Sequence, residues 1–201
     1  MTSRKPSTFR STTLALTASV MAAIPGLALA GPLTDAATKA EALAAAGNAV
    51  GAHDVMRTAI SDFSASLPFS IAKALFITGE PAGYAMYEPR SSSNFKPGEP
   101  ILSYVEPIGL GWKPAGTPDK IESRFTVDFD IRDAKGEILA QQKAFGDFTF
   151  TGFVRNPEIY ATLTIDVSGA PPGDYIQRFH FNDQNGGKTA SVDQPFTIAG
   201  P

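Results

Sequence analysis

The spacing of apolar residues changes character once along the chain, near residue 68. Before that point the pattern is helical. Residues 33–46 are rich in alanine and free of proline, with Asp35, Lys39 and Glu41 as polar positions. Alanine is the best helix former, so a helix is predicted here. Thr34 is a candidate cap for its start, and Gly47-Asn48 reads as a stop. A second helix is predicted over 50–64, where Met56, Ile60, Phe63 and Leu67 fall on one stripe. The two segments form either a hairpin or one bent helix. Alanine-rich helices bury little apolar area and are marginal alone. Residues 31–67 are therefore expected to dock on the rest of the chain or on a partner.

From residue 68 to the end the period is two. Strands are predicted over 71–78, 84–88, 101–106, 121–133, 137–145, 159–167, 175–181 and 189–198. In 121–133, Phe125, Val127, Phe129 and Ile131 alternate with Arg124, Thr126, Asp128, Asp130 and Arg132, giving one core face and one wet face. Asp133-Ala134-Lys135-Gly136 joins that strand to the next, and residues 182–187 repeat the device with Asp183 and Gly186-Gly187. Residues 107–119, rich in glycine and proline, carry Trp112 and read as a connection or a glycine-interrupted strand. Seven or eight short strands with turn signals between them, and no helix among them, predict an antiparallel β-sandwich over 68–201.

The first thirty residues belong to neither pattern. Arg4, Lys5 and Arg10 precede an apolar stretch over 14–29, and Ala28-Leu29-Ala30 has the small-x-small form of a signal peptidase site. Residues 1–30 are thus expected to be a signal peptide, and the mature protein to be periplasmic or secreted. Loss of three basic and no acidic residues would take the net charge from −3 to −6. An acidic chain without a basic run does not read as a nucleic-acid binder. The chain has no cysteine, which excludes thiol catalysis and thiolate metal sites, and requires a core that holds without disulfides.

A resemblance enters at the C-terminal strands. Pro172-Gly173-Asp174-Tyr175-x-x-Arg178, then Asp183 and Gly187-Lys188-Thr189-Ala190, then Pro195-Phe196-Thr197-Ile198, resemble the last two strands of bacterial immunoglobulin-like or fibronectin type III-like modules. The resemblance covers 159–199 in motif and 69–158 by strand count only. It implies an immunoglobulin-like sandwich, with Tyr175 as a tyrosine corner whose hydroxyl bonds back to nearby backbone. It brings no active site with it.

Candidate chemistry is sparse. His53 and His180 lack the neighbouring motifs that a hydrolytic triad or a zinc site needs. Asp128-x-Asp130-x-x-Asp133, with Asp183 and Asn185, offers oxygens for calcium, but neither turn follows the twelve-residue calcium pattern. The aromatic segment 145–153 is the stronger candidate. Aromatic faces give contact area at low entropic cost, so a shallow ligand site is predicted at Trp112, Phe148, Phe150 and Phe153; core packing is the competing reading for Phe148 and Phe150. The expected function is a non-enzymatic envelope protein binding protein or glycan, with no cofactor, metal or nucleic acid, and no membrane span once the signal is removed. Two alternatives stand beside it. One is a carbohydrate-active enzyme using paired carboxylates such as Asp128, Asp130 or Glu106. The other is a structural protein that oligomerises through its helical arm.

Overall fold

The computed structural model describes residues 31–200; the signal peptide and cleavage site read in 1–30 lie outside them. The chain is mainly β with two N-terminal helices. Among the described residues, no helix is long and apolar enough to cross a membrane.

Helix α1 spans Pro32–Ala45 and α2 spans Ala49–Ser66. They form an antiparallel hairpin rather than one bent helix. Gly31, not Thr34, caps α1, and Pro32 fills the first turn, where a missing N–H costs nothing. Gly47 takes a positive φ of 78° to end α1. Asn48 Oδ1 then accepts the Gly51 N–H at 2.9 Å to start α2.

Nine strands follow: β1 Ser70–Phe76, β2 Asn94–Phe95, β3 Ile101–Ile108, β4 Lys113–Pro114, β5 Ile121–Asp133, β6 Ile138–Gly152, β7 Ala161–Ile165, β8 Gly173–Asp183 and β9 Thr189–Ile198. The predicted strand at 84–88 is absent. That stretch is a tight loop with Ala85 at a φ of 57°, laid over β3 by an Ala85 N–H to Tyr104 hydroxyl bond of 2.9 Å. The strand predicted at 137–145 and the aromatic segment after it form one long strand, β6.

One sheet has the order β1-β3-β7. The larger runs β2-β9-β8-β5-β4, with β6 on the other edge of β5. Because β2 pairs parallel with β9, this sheet is mixed, and it curls into a half-barrel. The inner faces of both sheets share one core, built from Ile101 and Val105 of the small sheet, Leu163 and Ile165 beside them, and Phe125, Val127, Phe179 and Phe181 opposite. Phe95 closes the seam, edge-on to Phe76 at 5.2 Å and to Phe196 at 6.1 Å between ring centroids. One polar link crosses this core. Gln177, fully buried, donates through Nε2 to Ser103 Oγ at 2.7 Å and to Gln194 Oε1 at 3.0 Å.

Candidate binding notch at the helix–sheet joint

Trp112 is held by contacts that only glycine neighbours allow. Gly109 has a φ of +74°, and a Cβ there would lie 2.4 Å from the Pro68 carbonyl oxygen. A Cβ on Gly111 would lie 2.5 Å from the Gly186 nitrogen. The Gly111 N–H donates to Asp183 Oδ2 at 2.8 Å. Asp183 Oδ1 accepts the N–H groups of Asn185 and Gly186 at 3.0 and 2.9 Å. Lys188 Nζ closes the arrangement by donating to the Gly109 carbonyl at 3.2 Å. The loop 109–112 is thus pinned between the end of α2 and the β8–β9 turn. Asp183 and Asn185, candidates for calcium, serve this turn instead: Asp183 is buried, and Asn185 Nδ2 donates to the Glu122 carbonyl at 2.9 Å.

The result is a notch of about 270 Å³ in which the half-buried Trp112 and the buried Leu110 face Ala65 and Ser66 of α2. Arg155 spans its rim, with Nη1 2.8 Å from Asp62 Oδ1. The pair tethers α2 to the loop after β6. Residues 62 and 155 are far apart in sequence, and no local pattern marks either one. The signal that was readable is the Gly109-Leu110-Gly111 run before the tryptophan.

Of the four residues predicted as one ligand site, only Trp112 lines the notch. Phe148 and Phe150 lie on β6 with their rings stacked on Phe125 at centroid distances of 5.1 and 5.9 Å. They are half-buried against the core, as their alternation in the strand dictates. Phe153 lies past the end of β6 and is 71% exposed. Lys120 Nζ sits 5.5 Å from its ring centroid. Strand β5 separates it from the Trp112 side, since Ile121 pairs with Pro114 on one edge and Gly152 on the other.

The carboxylates do not converge. Asp128 and Asp130 sit on the outer face of β5, while Glu106 sits on the outer face of β3 in the other sheet. Asp128 Oδ1 accepts the Ala144 N–H at 2.8 Å and Oδ2 faces Lys143 Nζ at 3.0 Å. Asp130 is buried and ion-paired to Arg132. Burial pushes its carboxyl up, but Arg132 and His180 outweigh this and hold it below the ordinary carboxylate range. Glu106 is buried near Lys73 Nζ, 3.6 Å away, and accepts from the Tyr84 hydroxyl at 3.4 Å. Burial pushes the neighbouring Tyr104 hydroxyl up to about 12.

One triad-like chain escaped the sequence reading. His180 Nε2 is 2.8 Å from Asp130 Oδ2, and its Nδ1 is 3.0 Å from Ser191 Oγ. It lies across the outer surface of three paired strands, where Asp130 is already neutralised by Arg132, and none of its members lines the notch. Its strands are separated by up to 61 residues in sequence, so no motif announces it. Among the described residues, no cluster of three or more metal-ligating side chains occurs.

No family model matches the chain, and no curated protein sequence does. Among solved structures, the chain is similar to the Pseudomonas fluorescens alkylpurine DNA glycosylase AlkC bound to DNA containing an abasic site analog. That alignment has 12% identity and a TM-score of 0.34, and covers 77% of this chain and 39% of the other. The chain therefore spans about two fifths of the glycosylase's length. A second match is the putative ApaA protein of Bordetella pertussis, with 11% identity and a TM-score of 0.19, covering 67% of this chain and 96% of that one.

Proposed function

We propose that this chain is an exported, non-enzymatic binding protein of the cell envelope, periplasmic or secreted, whose ligand is a protein segment or a glycan. The β portion is read as an immunoglobulin-like sandwich. Two features support that reading. The layering of β1-β3-β7 over a larger sheet that contains β2-β9-β8-β5, with β6 on β5, around one shared core supports it. The Tyr175 hydroxyl also donates to the Pro171 carbonyl at 2.7 Å, four residues upstream.

The observation that carries a binding role is Trp112, half-exposed on a pinned loop beside the Asp62–Arg155 pair. An aromatic face next to fixed polar groups gives contact area and direction together, without an ordering cost on binding. A non-enzymatic role is favoured because Asp128, Asp130 and Glu106 are each engaged, and Glu106 lies on the opposite sheet from the other two. No cofactor, metal or nucleic acid is needed by this reading.

The test is tryptophan emission of the mature protein titrated with a panel of envelope glycans and extended peptides. The chain has one tryptophan, so any saturable change reports this notch. A ligand that shifts emission in the native protein and loses at least tenfold in affinity with Arg155→Ala supports the proposal. A panel without any saturable change, or binding that calorimetry finds intact in Trp112→Ala, which has no tryptophan left to report, ends it.

A further inference from the structure

The Trp112 notch carries one acid and one base, Asp62 and Arg155, and they are bound to each other. We propose that this notch seats a single neutral pyranose ring at the end of a glycan, rather than a peptide or a charged sugar. The proposal rests on the reading of the notch as a binding site and names its ligand's chemistry.

Three observations select that ligand. The first is charge. Because Asp62 and Arg155 cancel, an anion or a cation gains attraction only by breaking the pair, whereas a neutral ligand leaves it intact. The second is hydrogen bonding. The pair is closed by one contact, Arg155 Nη1 to Asp62 Oδ1, which uses one of five guanidinium donors and one of two carboxylate oxygens. Donors and acceptors are thus left side by side. Neighbouring ring hydroxyls, each both donor and acceptor, answer that arrangement by donating to the carboxylate and accepting from the guanidinium. An extended peptide pairs its main chain with a strand edge, and neither wall here is a strand: one is the last turns of α2, the other the loop 109–112. That loop's backbone is already engaged, with the Gly111 N–H on Asp183 and the Gly109 carbonyl on Lys188. The third is shape. The indole of Trp112 supplies a flat wall whose electron-rich face attracts the C–H face of a sugar ring. At about 270 Å³ the notch is below the size of pockets that enclose larger ligands, which limits it to one ring.

The test titrates the mature protein with the methyl glycosides of glucose, galactose and mannose, carried into the high millimolar range. Each is run beside its uronic acid and its amino-sugar counterpart, and beside a neutral extended peptide. Emission of the one tryptophan reports occupancy. At least one neutral hexoside should bind saturably, at least tenfold tighter than its charged counterparts, and without weakening as salt rises. Asp62→Asn leaves Arg155 unbalanced and should move the preference to the uronic acid. Arg155→Gln leaves Asp62 unbalanced and should move it to the amino sugar. Both positions are exposed, and circular dichroism checks that both variants fold. A charged sugar that binds the native protein as tightly as the neutral hexosides overturns the proposal, as does a preference that neither variant moves. A peptide that alone shifts emission, or a longer glycan that binds where no single hexoside does, also overturns it but leaves the notch a binding site. Silence from every probe ends both readings together.

Discussion

The side chain of Asp128 accepts the backbone N–H of Ala144 at 2.8 Å across the β5–β6 hairpin. At this point the register slips: Val127 faces Gly146 but Phe129 faces Gln142, so extra residues of β6 stand opposite Asp128. Ala144 takes a φ of 50°, a conformation that costs a non-glycine residue energy unless something holds it. The Asp128 carboxylate is that restraint, with Lys143 on its other oxygen. A bulge held this way kinks a long edge strand and spoils it as a template for pairing with other chains.

Asp128→Ala should therefore loosen the bulge. We expect a loss of about 1–2 kcal/mol in chemical denaturation, with Asp128→Asn costing less because its oxygen still accepts the Ala144 N–H. Both Asp128 oxygens are engaged, so calcium at millimolar concentration should not raise the melting temperature. A calcium-dependent rise that Asp128→Asn removes would contradict this account.

The Tyr175 ring is buried, stacked on Phe196 at 5.4 Å, and its hydroxyl holds the Pro171 carbonyl. Tyr175→Phe removes one hydrogen bond and should cost about 1 kcal/mol. Tyr175→Ala also leaves a cavity and should cost about 3–5 kcal/mol. Equal melting of wild type and Tyr175→Ala would show that this corner adds nothing.

Acid should unfold the protein through its paired aspartates. Arg178 holds Asp193 below the ordinary carboxylate range, and Arg132 with His180 does the same for Asp130 against its burial. A carboxylate depressed in the folded state gives stability that is full above the unfolded pKa. It is lost as pH falls through the folded value, because the unfolded chain takes up protons first. Stability should thus decline from about pH 5 down to about pH 2. Arg132→Met removes one of the groups holding Asp130 down and should move the acid midpoint to higher pH. An unchanged midpoint in circular dichroism would dismiss the role of this pair.

Gly111→Ala forces a Cβ against backbone rather than against a movable side chain. We expect a loss of about 2 kcal/mol or more, with tryptophan emission shifting to the red as the loop leaves its seat. Gly116→Ala, where a Cβ would meet open space, is the matched control and should leave emission unchanged.

The mature protein is expected to begin at Gly31 and to be recovered in the envelope fraction or the medium. N-terminal sequencing decides this; a chain that retains Met1 on a membrane fraction would refute the processing site.

Alternation and turn chemistry made most of the strands legible. Phe125, Val127, Phe179 and Phe181 face the core because they share one parity along their strands, and both hairpin turns lie where Asp133 and Asp183 open them. Residues 84–88 misled for a physical reason: Tyr84 and Tyr87 are apolar enough to suggest a strand, but their rings cover Tyr104 and Glu106 from a loop. The segment 145–153 misled in the other direction. Its glycines suggested a break, yet β6 runs on to Gly152 and its kink falls at Ala144, which Asp128 restrains. For the notch, sequence exposed the tryptophan and its glycines but not Arg155 or Asp62, because pairs closed by tertiary folding leave no local period.

The Gln177–Ser103–Gln194 link carries a consequence for how the two sheets find each other. Layers of phenylalanine, valine and leucine can slide past one another at small cost, since one greasy contact replaces another. A buried amide cannot: each wrong alignment strands its donors away from water. Gln177 thus indexes the large sheet against the small one at a single notch of the ruler, trading some stability for one permitted setting.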